Sequence, residues 1–277
     1  SPSSVDLPKS QTGLAFIHPL LHQNTSDLSE QRFTSRFTSN EYFISNHQTG
    51  EELFSSMALV EMARVAIEKS SCLSKQDFAS EHQALLISHI SWPKPFIRMP
   101  ENNEIHIALS GDKSGQIYCE AYSDIEDKDE AGIHFQGQAE IVSIPEISRL
   151  DIAALRSEMT LDTLSAGDCF KLLENKQMNY GDRLQGLDVV YLGERQVLAK
   201  LTLPQSFLSD NNDYVLHPCL LDAALQSSLS LSLSPALQLS RLSSLTSIEI
   251  HHACTNNMYA WVRCLSEGHD LEKLNDL

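Results

Sequence analysis

The fold of this chain is organised around residues 46–66, NHQTGEELFSSMALVEMARVA. A histidine, His47, and a glycine, Gly50, precede an apolar run in this segment. Apolar side chains recur every three to four residues from 53 to 67, which predicts a largely buried helix that ends near Ser70.

The start of this predicted helix has features of a reaction site. Ser55 or Ser56 is expected to cap it, because a serine hydroxyl accepts a hydrogen bond from a backbone N–H of the first turn. The first N–H groups of a helix have no intrahelical partner and lie at the positive end of its dipole. We therefore expect them to receive a developing oxyanion close to His47.

A second segment, LHPCLLDAALQSS at 216–228, predicts another buried helix over 218–233. Asp222 and Gln226 are four residues apart and share one helical face. One interpretation of Asp222 is a surface carboxylate or a cap. The other is functional, because a carboxylate in so apolar a helix is unusual unless it is paired or used. Desolvation would raise its pKa and keep it protonated as a general acid, and Gln226 is predicted to orient it by a hydrogen bond.

Composition narrows the class of protein. The 277 residues carry a net charge of −17, which argues against binding to nucleic acid or to an anionic membrane surface. No membrane span or signal peptide is recognisable, and the six cysteines show no C-x-x-C spacing, so we expect reduced thiols, no zinc and a cytoplasmic location. The chain does not begin with methionine, so we interpret it as a piece of a longer polypeptide, with residues 1–13 as linker.

The order of elements suggests a duplicated architecture. Strand-like alternation surrounds one buried helix in each half of the chain. We predict a first unit at 14–143, a connector with a short helix at 144–160, and a second unit at 161–277. Strands are predicted within 31–44 and over the following segments: 84–98 (broken by prolines), 104–109, 116–122, 134–142, 187–193, 196–203, 245–251 and 258–264.

These segments resemble the dehydratase domains of modular polyketide synthases. That family reads H-x-x-x-G-x-x-x-x-P in its first motif and H-P-x-x-x-D-x-x-x-Q in its second. The second motif is complete here and comprises His217, Pro218, Asp222 and Gln226. The resemblance spans roughly residues 14–264 and implies an α+β double hot-dog fold, in which two fused units each wrap an antiparallel sheet round a central helix.

The first motif departs from the family pattern. The spacing from His47 to Gly50 is one residue short, and Ser55 takes the position of the proline. Counting back from Gly50 would place Asn46 in the histidine position. We favour His47, because a turn absorbs a deletion whereas an amide cannot serve as a base.

A third motif, Y-G-P-x-F-x-G in the family, reads YGDRLQG here, with Asp182 in place of the proline. Tyr180 and Gly181 are interpreted either as a wall of an acyl pocket or as a turn with a packing tyrosine. The family also continues for about two strands beyond the point where this chain has a polar tail.

The resemblance implies dehydration of a β-hydroxyacyl thioester carried on the phosphopantetheine of an acyl carrier protein, with no cofactor or metal of the domain's own. His47 would remove the α-proton, and Asp222 would protonate the departing hydroxyl. The expected partners are the carrier protein and neighbouring synthase domains, and a homodimer is left open. Because carrier proteins are acidic, docking to this acidic chain would need a local basic patch or tethering on one polypeptide.

The altered first motif keeps two alternatives open. One is a variant that shifts a double bond or closes an oxygen ring and is slow as a dehydratase. The other is a non-catalytic module that binds the carrier or assists branching. The complete Asp222 and Gln226 pair argues against full loss of chemistry.

Overall fold

The computed structural model describes residues 16–38, 41–46, 52–70, 83–98, 103–113, 115–124, 132–143, 149–175, 186–209, 213–228, 230–231 and 243–264. Within these ranges, no helix has both the length and the apolar character needed to span a membrane.

The described chain forms fourteen strands and four α-helices. The strands are β1 (Gln23–Asn24), β2 (Gln31–Arg36), β3 (Ile44–Asn46), β4 (Glu52–Phe54), β5 (Gln83–Ser91), β6 (Ile97–Arg98), β7 (Glu104–Gly111), β8 (Ile117–Ser123), β9 (Gly132–Ser143), β10 (Asp162–Ser165), β11 (Leu187–Gly193), β12 (Gln196–Thr202), β13 (Ser244–Ile250) and β14 (Asn257–Arg263). The helices are α1 (Ser56–Lys69), α2 (Ile152–Glu158), α3 (Ala166–Asn175) and α4 (Pro218–Ser228).

Three antiparallel sheets are formed by these strands. The largest runs β1-β2-β7-β8-β9-β5-β13 and the second runs β10-β11-β12-β14, while β3, β4 and β6 form a small third sheet. Helix α1 packs on β7 and β8 of the first sheet, and α4 packs on β11, β12 and β14 of the second. The two helices also contact each other, so the helix that follows the first sequence motif meets the helix that carries the second.

Helix α1 is buried along most of its length, as its apolar spacing predicts. Every residue from Met57 to Ile67 is buried. The predicted start is wrong at one point, because Leu53 lies in β4 and the helix begins only at Ser56. Ser55 follows the last residue of β4, and its side chain caps α1. The apolar run is therefore divided between a strand and a helix.

The predicted strands are confirmed in position, and one of them pairs outside its predicted unit. The segment 187–193 is β11 as predicted, and the break at the prolines separates β5 from β6. The segment near 245–251, predicted as a strand of the second unit, is β13 and pairs with β5 of the first. Helix α4 is shorter than predicted and ends at Ser228, and β10 was not predicted.

Candidate active site

The Ser55 side chain lies at the point where α1 begins. Its Oγ accepts hydrogen bonds from the backbone N–H groups of Met57 at 3.1 Å and Ala58 at 3.2 Å. The prediction that a serine caps this helix is therefore confirmed. These two N–H groups are engaged, however, so the expectation that they stand free for an oxyanion is wrong.

Asp222 projects from α4 towards this helix start. Only 4% of its surface is exposed, and Ser55 Oγ donates a hydrogen bond to Asp222 Oδ2 over 2.7 Å. Burial raises the pKa of the carboxyl to about 7, while the hydrogen bond from Ser55 acts in the opposite direction. A carboxyl with such a pKa is substantially protonated near neutral pH, which is the state that a general acid needs.

Gln226 lies one turn further along α4, on the same face. It is 2% exposed, and neither its Oε1 nor its Nε2 has a hydrogen-bond partner in the described part of the chain. The predicted hydrogen bond from Gln226 to Asp222 is therefore absent there, because Ser55 supplies the donor instead. A buried amide without partners is costly, so Gln226 is available to a bound group or a water molecule.

His217 and Pro218 shape the start of α4. The imidazole of His217 is fully buried, and its Nδ1 accepts a hydrogen bond from the backbone N–H of Cys219 at 3.3 Å. The ring of Tyr42 stacks on it with centroids 5.4 Å apart and planes 17° apart. Pro218 is the first residue of the helix, where its missing N–H costs nothing. Both residues therefore support the helix that presents Asp222.

Glu61 on α1 fixes the chain just ahead of α4. Its carboxylate accepts hydrogen bonds from the backbone N–H groups of Val215 at 2.9 Å and Leu216 at 3.0 Å. Arg64 balances its charge through bonds of 2.7 and 3.1 Å, although Glu61 is fully buried. This ion pair connects the two motif segments directly, because it holds the residues that immediately precede His217.

Gly186, the last residue of the third motif, lies against α4. A Cβ atom built there would come within 3.0 Å of the carbonyl oxygen of Cys219, 3.1 Å of its Sγ and 3.2 Å of Ala223 Cβ. The chain therefore approaches the aspartate helix as closely as only glycine allows.

The other predicted site residues lie outside the described residues. These are His47, Gly50, Tyr180 and Gly181. The backbone is described up to Asn46, the last residue of β3, which pairs with Glu52. Glu52 precedes Ser55 by three residues, which is about 10 Å along an extended strand.

Sequence reasoning missed two contacts within this site. The hydrogen bond from Ser55 to Asp222 joins residues 167 positions apart, and those from Val215 and Leu216 to Glu61 join residues 154 and 155 positions apart. A glutamate and an arginine three residues apart inside an otherwise apolar helix is the signal that would have indicated a buried ion pair.

Comparison with known proteins gives a consistent family. The family model described as "Polyketide synthase dehydratase domain" matches residues 18–124, and the one described as "Polyketide synthase dehydratase N-terminal domain" matches 149–273. Polyketide synthase PksM of Bacillus subtilis (strain 168) is 35% identical over 273 residues, which cover 96% of this chain and 6% of PksM. The chain thus spans only a small part of that relative.

Solved structures agree with this assignment. A dehydratase domain of a trans-AT polyketide synthase from Brevibacillus brevis is 35% identical, with a TM-score of 0.81, over 90% of this chain and 86% of that one. The dehydratase domain of RzxB from Pseudomonas fluorescens shares the fold, with a TM-score of 0.78 at 24% identity over 92% of this chain and 90% of that one.

The chain belongs to the dehydratase domain family of polyketide synthases. Its fold is the double hot-dog of that family.

Proposed function

We propose that this domain removes water from a β-hydroxyacyl thioester to give an α,β-enoyl thioester. The observation that carries the proposal is Asp222, a buried carboxyl whose pKa of about 7 suits proton donation to a departing hydroxyl. The acid comes from α4 and the predicted base, His47, from the segment that precedes α1. Helices α1 and α4 contact each other, which supports a shared site for the two residues.

The reaction needs a base on one side of the acyl chain and an acid on the other. His47 removes the α-proton, which the thioester carbonyl acidifies, and Asp222 gives its proton to the β-hydroxyl, which leaves as water. The α-proton then remains on the imidazole and the negative charge on the carboxylate, so transfer between them through solvent restores the starting state. Gln226 lies on the same face of α4 as Asp222, and its unpaired amide is suited to bind a polar group of the acyl chain.

The substrate is carried on the phosphopantetheine of an acyl carrier protein in this proposal, and no further cofactor takes part. The partners are that carrier and the neighbouring domains of a synthase, in the cytoplasm. With a net charge of −17 the chain would repel an acidic carrier, so we infer that tethering on one polypeptide supplies the necessary local concentration.

The test compares two substrates on the same carrier protein. A β-hydroxyacyl and an α,β-enoyl thioester are incubated separately with the domain in deuterated buffer. Mass spectrometry gives the masses of the products and shows whether deuterium from the buffer has entered the α carbon or the γ carbon. We expect loss of water from the hydroxyacyl form, and loss of that activity in both Asp222→Asn and His47→Gln.

Other outcomes would replace the proposal. Exchange at the γ carbon of the enoyl substrate without water loss would identify a double-bond isomerase, and a ring product of unchanged mass would identify a cyclase. Carrier binding with neither reaction would identify a non-catalytic module.

A further inference from the structure

The Ser55 hydroxyl uses all of its hydrogen-bonding capacity at the junction of two helices. A hydroxyl has one proton to donate and two lone pairs to accept with. Ser55 Oγ accepts from the N–H groups of Met57 and Ala58, and its single proton points to Asp222 Oδ2 at 2.7 Å. The two backbone donors thereby fix the direction of the O–H bond, which makes Ser55 a rigid donor to the carboxyl.

No other residue in the described ranges takes this role. The neighbouring Gln226, which the sequence pattern favoured as the partner of Asp222, makes no hydrogen bond there through either amide atom. A proline at position 55, as in the motif that this segment resembles, has no side-chain donor at all. The serine therefore supplies a contact that the related motif cannot make.

We propose that Ser55 is a positioning residue for the proton donor, holding the Asp222 carboxyl in place and making its proton easier to release. This inference rests on the proposed role of Asp222 in dehydration. The hydroxyl stabilises the carboxylate that remains after proton transfer, and it is itself polarised by the positive end of the α1 dipole. The Ser55 hydroxyl thus compensates for the rigidity that is lost when serine replaces proline at the helix entrance.

Three substitutions separate the two functions of the hydroxyl. Ser55→Ala removes both the cap and the donor. Ser55→Gly removes the donor but preserves most of the capping free energy, because glycine is nearly as good an N-cap as serine. Ser55→Thr retains both functions. Asp151→Ala is the matched control, since Asp151 caps α2 through a bond to Ala154 N at 3.0 Å on the exposed surface.

The pKa of Asp222 distinguishes the two roles, because a purely structural role of Ser55 would leave it unchanged. Its carboxyl carbon is followed by NMR in protein labelled with ¹³C at the aspartate carboxyl, and the signal is assigned by its absence in Asp222→Asn. We expect the pKa of Asp222 to rise by about one unit in Ser55→Ala and Ser55→Gly. The same variants should lose about tenfold in kcat with little change in KM, and their pH-rate profile should fall at higher pH than in the wild type.

Ser55→Thr and Asp151→Ala should keep the wild-type pKa and kcat. An unchanged Asp222 pKa in Ser55→Ala and Ser55→Gly would overturn the proposal, as would a loss of kcat that Asp151→Ala reproduces at equal loss of stability. The NMR titration does not depend on turnover. If the pKa moves as expected but the wild type releases no water, the control of Asp222 by Ser55 stands and the dehydratase function fails.

Discussion

At the scale of single residues, the buried Asp222 carboxyl lowers the free energy of unfolding at neutral pH. Its pKa is 3.8 in the unfolded chain and about 7 in the folded one. The folded state therefore holds its proton more tightly, and stability declines as the pH rises from 3.8 to 7. Below this window both states are protonated and the penalty disappears.

This penalty predicts the behaviour of Asp222→Asn. The amide is nearly isosteric, stays neutral and still accepts the hydrogen bond from Ser55. We expect the variant to be inactive but more stable than the wild type, by up to about 4 kcal/mol at pH 8 and by little at pH 4. Denaturant unfolding at the two pH values measures the difference. A variant that is less stable at pH 8 would make Asp222 a structural residue.

At the scale of elements, the Glu61 and Arg64 pair connects α1 to the start of α4. Glu61→Gln removes the fully buried carboxylate that pairs with Arg64, so this buried cation keeps only the partly exposed Glu68 as a counter-charge. We expect a loss of about 3–5 kcal/mol in the free energy of unfolding. Glu68→Gln is the matched control, because Glu68 bonds the same arginine at 2.7 Å but is 31% exposed, so its loss should stay below about 1 kcal/mol. Equal losses in the two variants would contradict the connecting role of Glu61.

The close approach of Gly186 to α4 leads to a second prediction at this scale. A methyl group at this position meets the Cys219 backbone, which cannot move without shifting the helix. We expect Gly186→Ala to cost about 1–3 kcal/mol of stability and to reduce kcat through displacement of Asp222. Gly111→Ala is the control, because the nearest atom to a Cβ there is 3.9 Å away. Wild-type turnover in Gly186→Ala would show that α4 tolerates the shift.

Most elements could be predicted from the sequence, whereas the contacts between distant segments could not. Local periodicity predicts β11 and the body of α1, because burial imposes a period on the residues that form each element. The pairing of β13 with β5 joins distant segments, and it does not affect the spacing of apolar residues along either strand. The same limit explains the contact of Ser55 with Asp222: the cap was predictable from a serine ahead of an apolar run, but its single proton is directed by tertiary structure.

At the scale of the whole molecule, buried and partly buried histidines make the folded chain resist protonation. Burial lowers the pKa of His18 to about 4 and also lowers the pKa values of His22 and His134. The unfolded chain protonates them first, so their contribution to stability is complete above pH 6.5 and is lost as the pH falls towards their folded pKa values. Asp222 acts in the opposite sense across the whole of this range, because its own window runs from pH 3.8 to about 7.

We therefore expect His18 to cost about 3 kcal/mol of stability between pH 6.5 and 4, a loss that the gain at Asp222 offsets by a similar amount in the wild type. His18→Asn should remove this loss and become more stable relative to the wild type as the pH falls, since its amide oxygen can replace Nδ1 as the acceptor for Leu20 N but does not titrate. Chemical denaturation across this pH range gives the slopes. A variant with the wild-type slope would show that His18 is not the acid-sensitive group.

The meeting of the two halves at one reaction site is the central claim of this account, and a crystal structure of Asp222→Asn with a β-hydroxyacyl pantetheine analogue bound tests it most directly. The account predicts that the acyl group lies between the side chain at position 222 and the imidazole of His47, with no more than about one bridging water on either side. An imidazole on the outer surface, with Asn46 facing the acyl group instead, would contradict it.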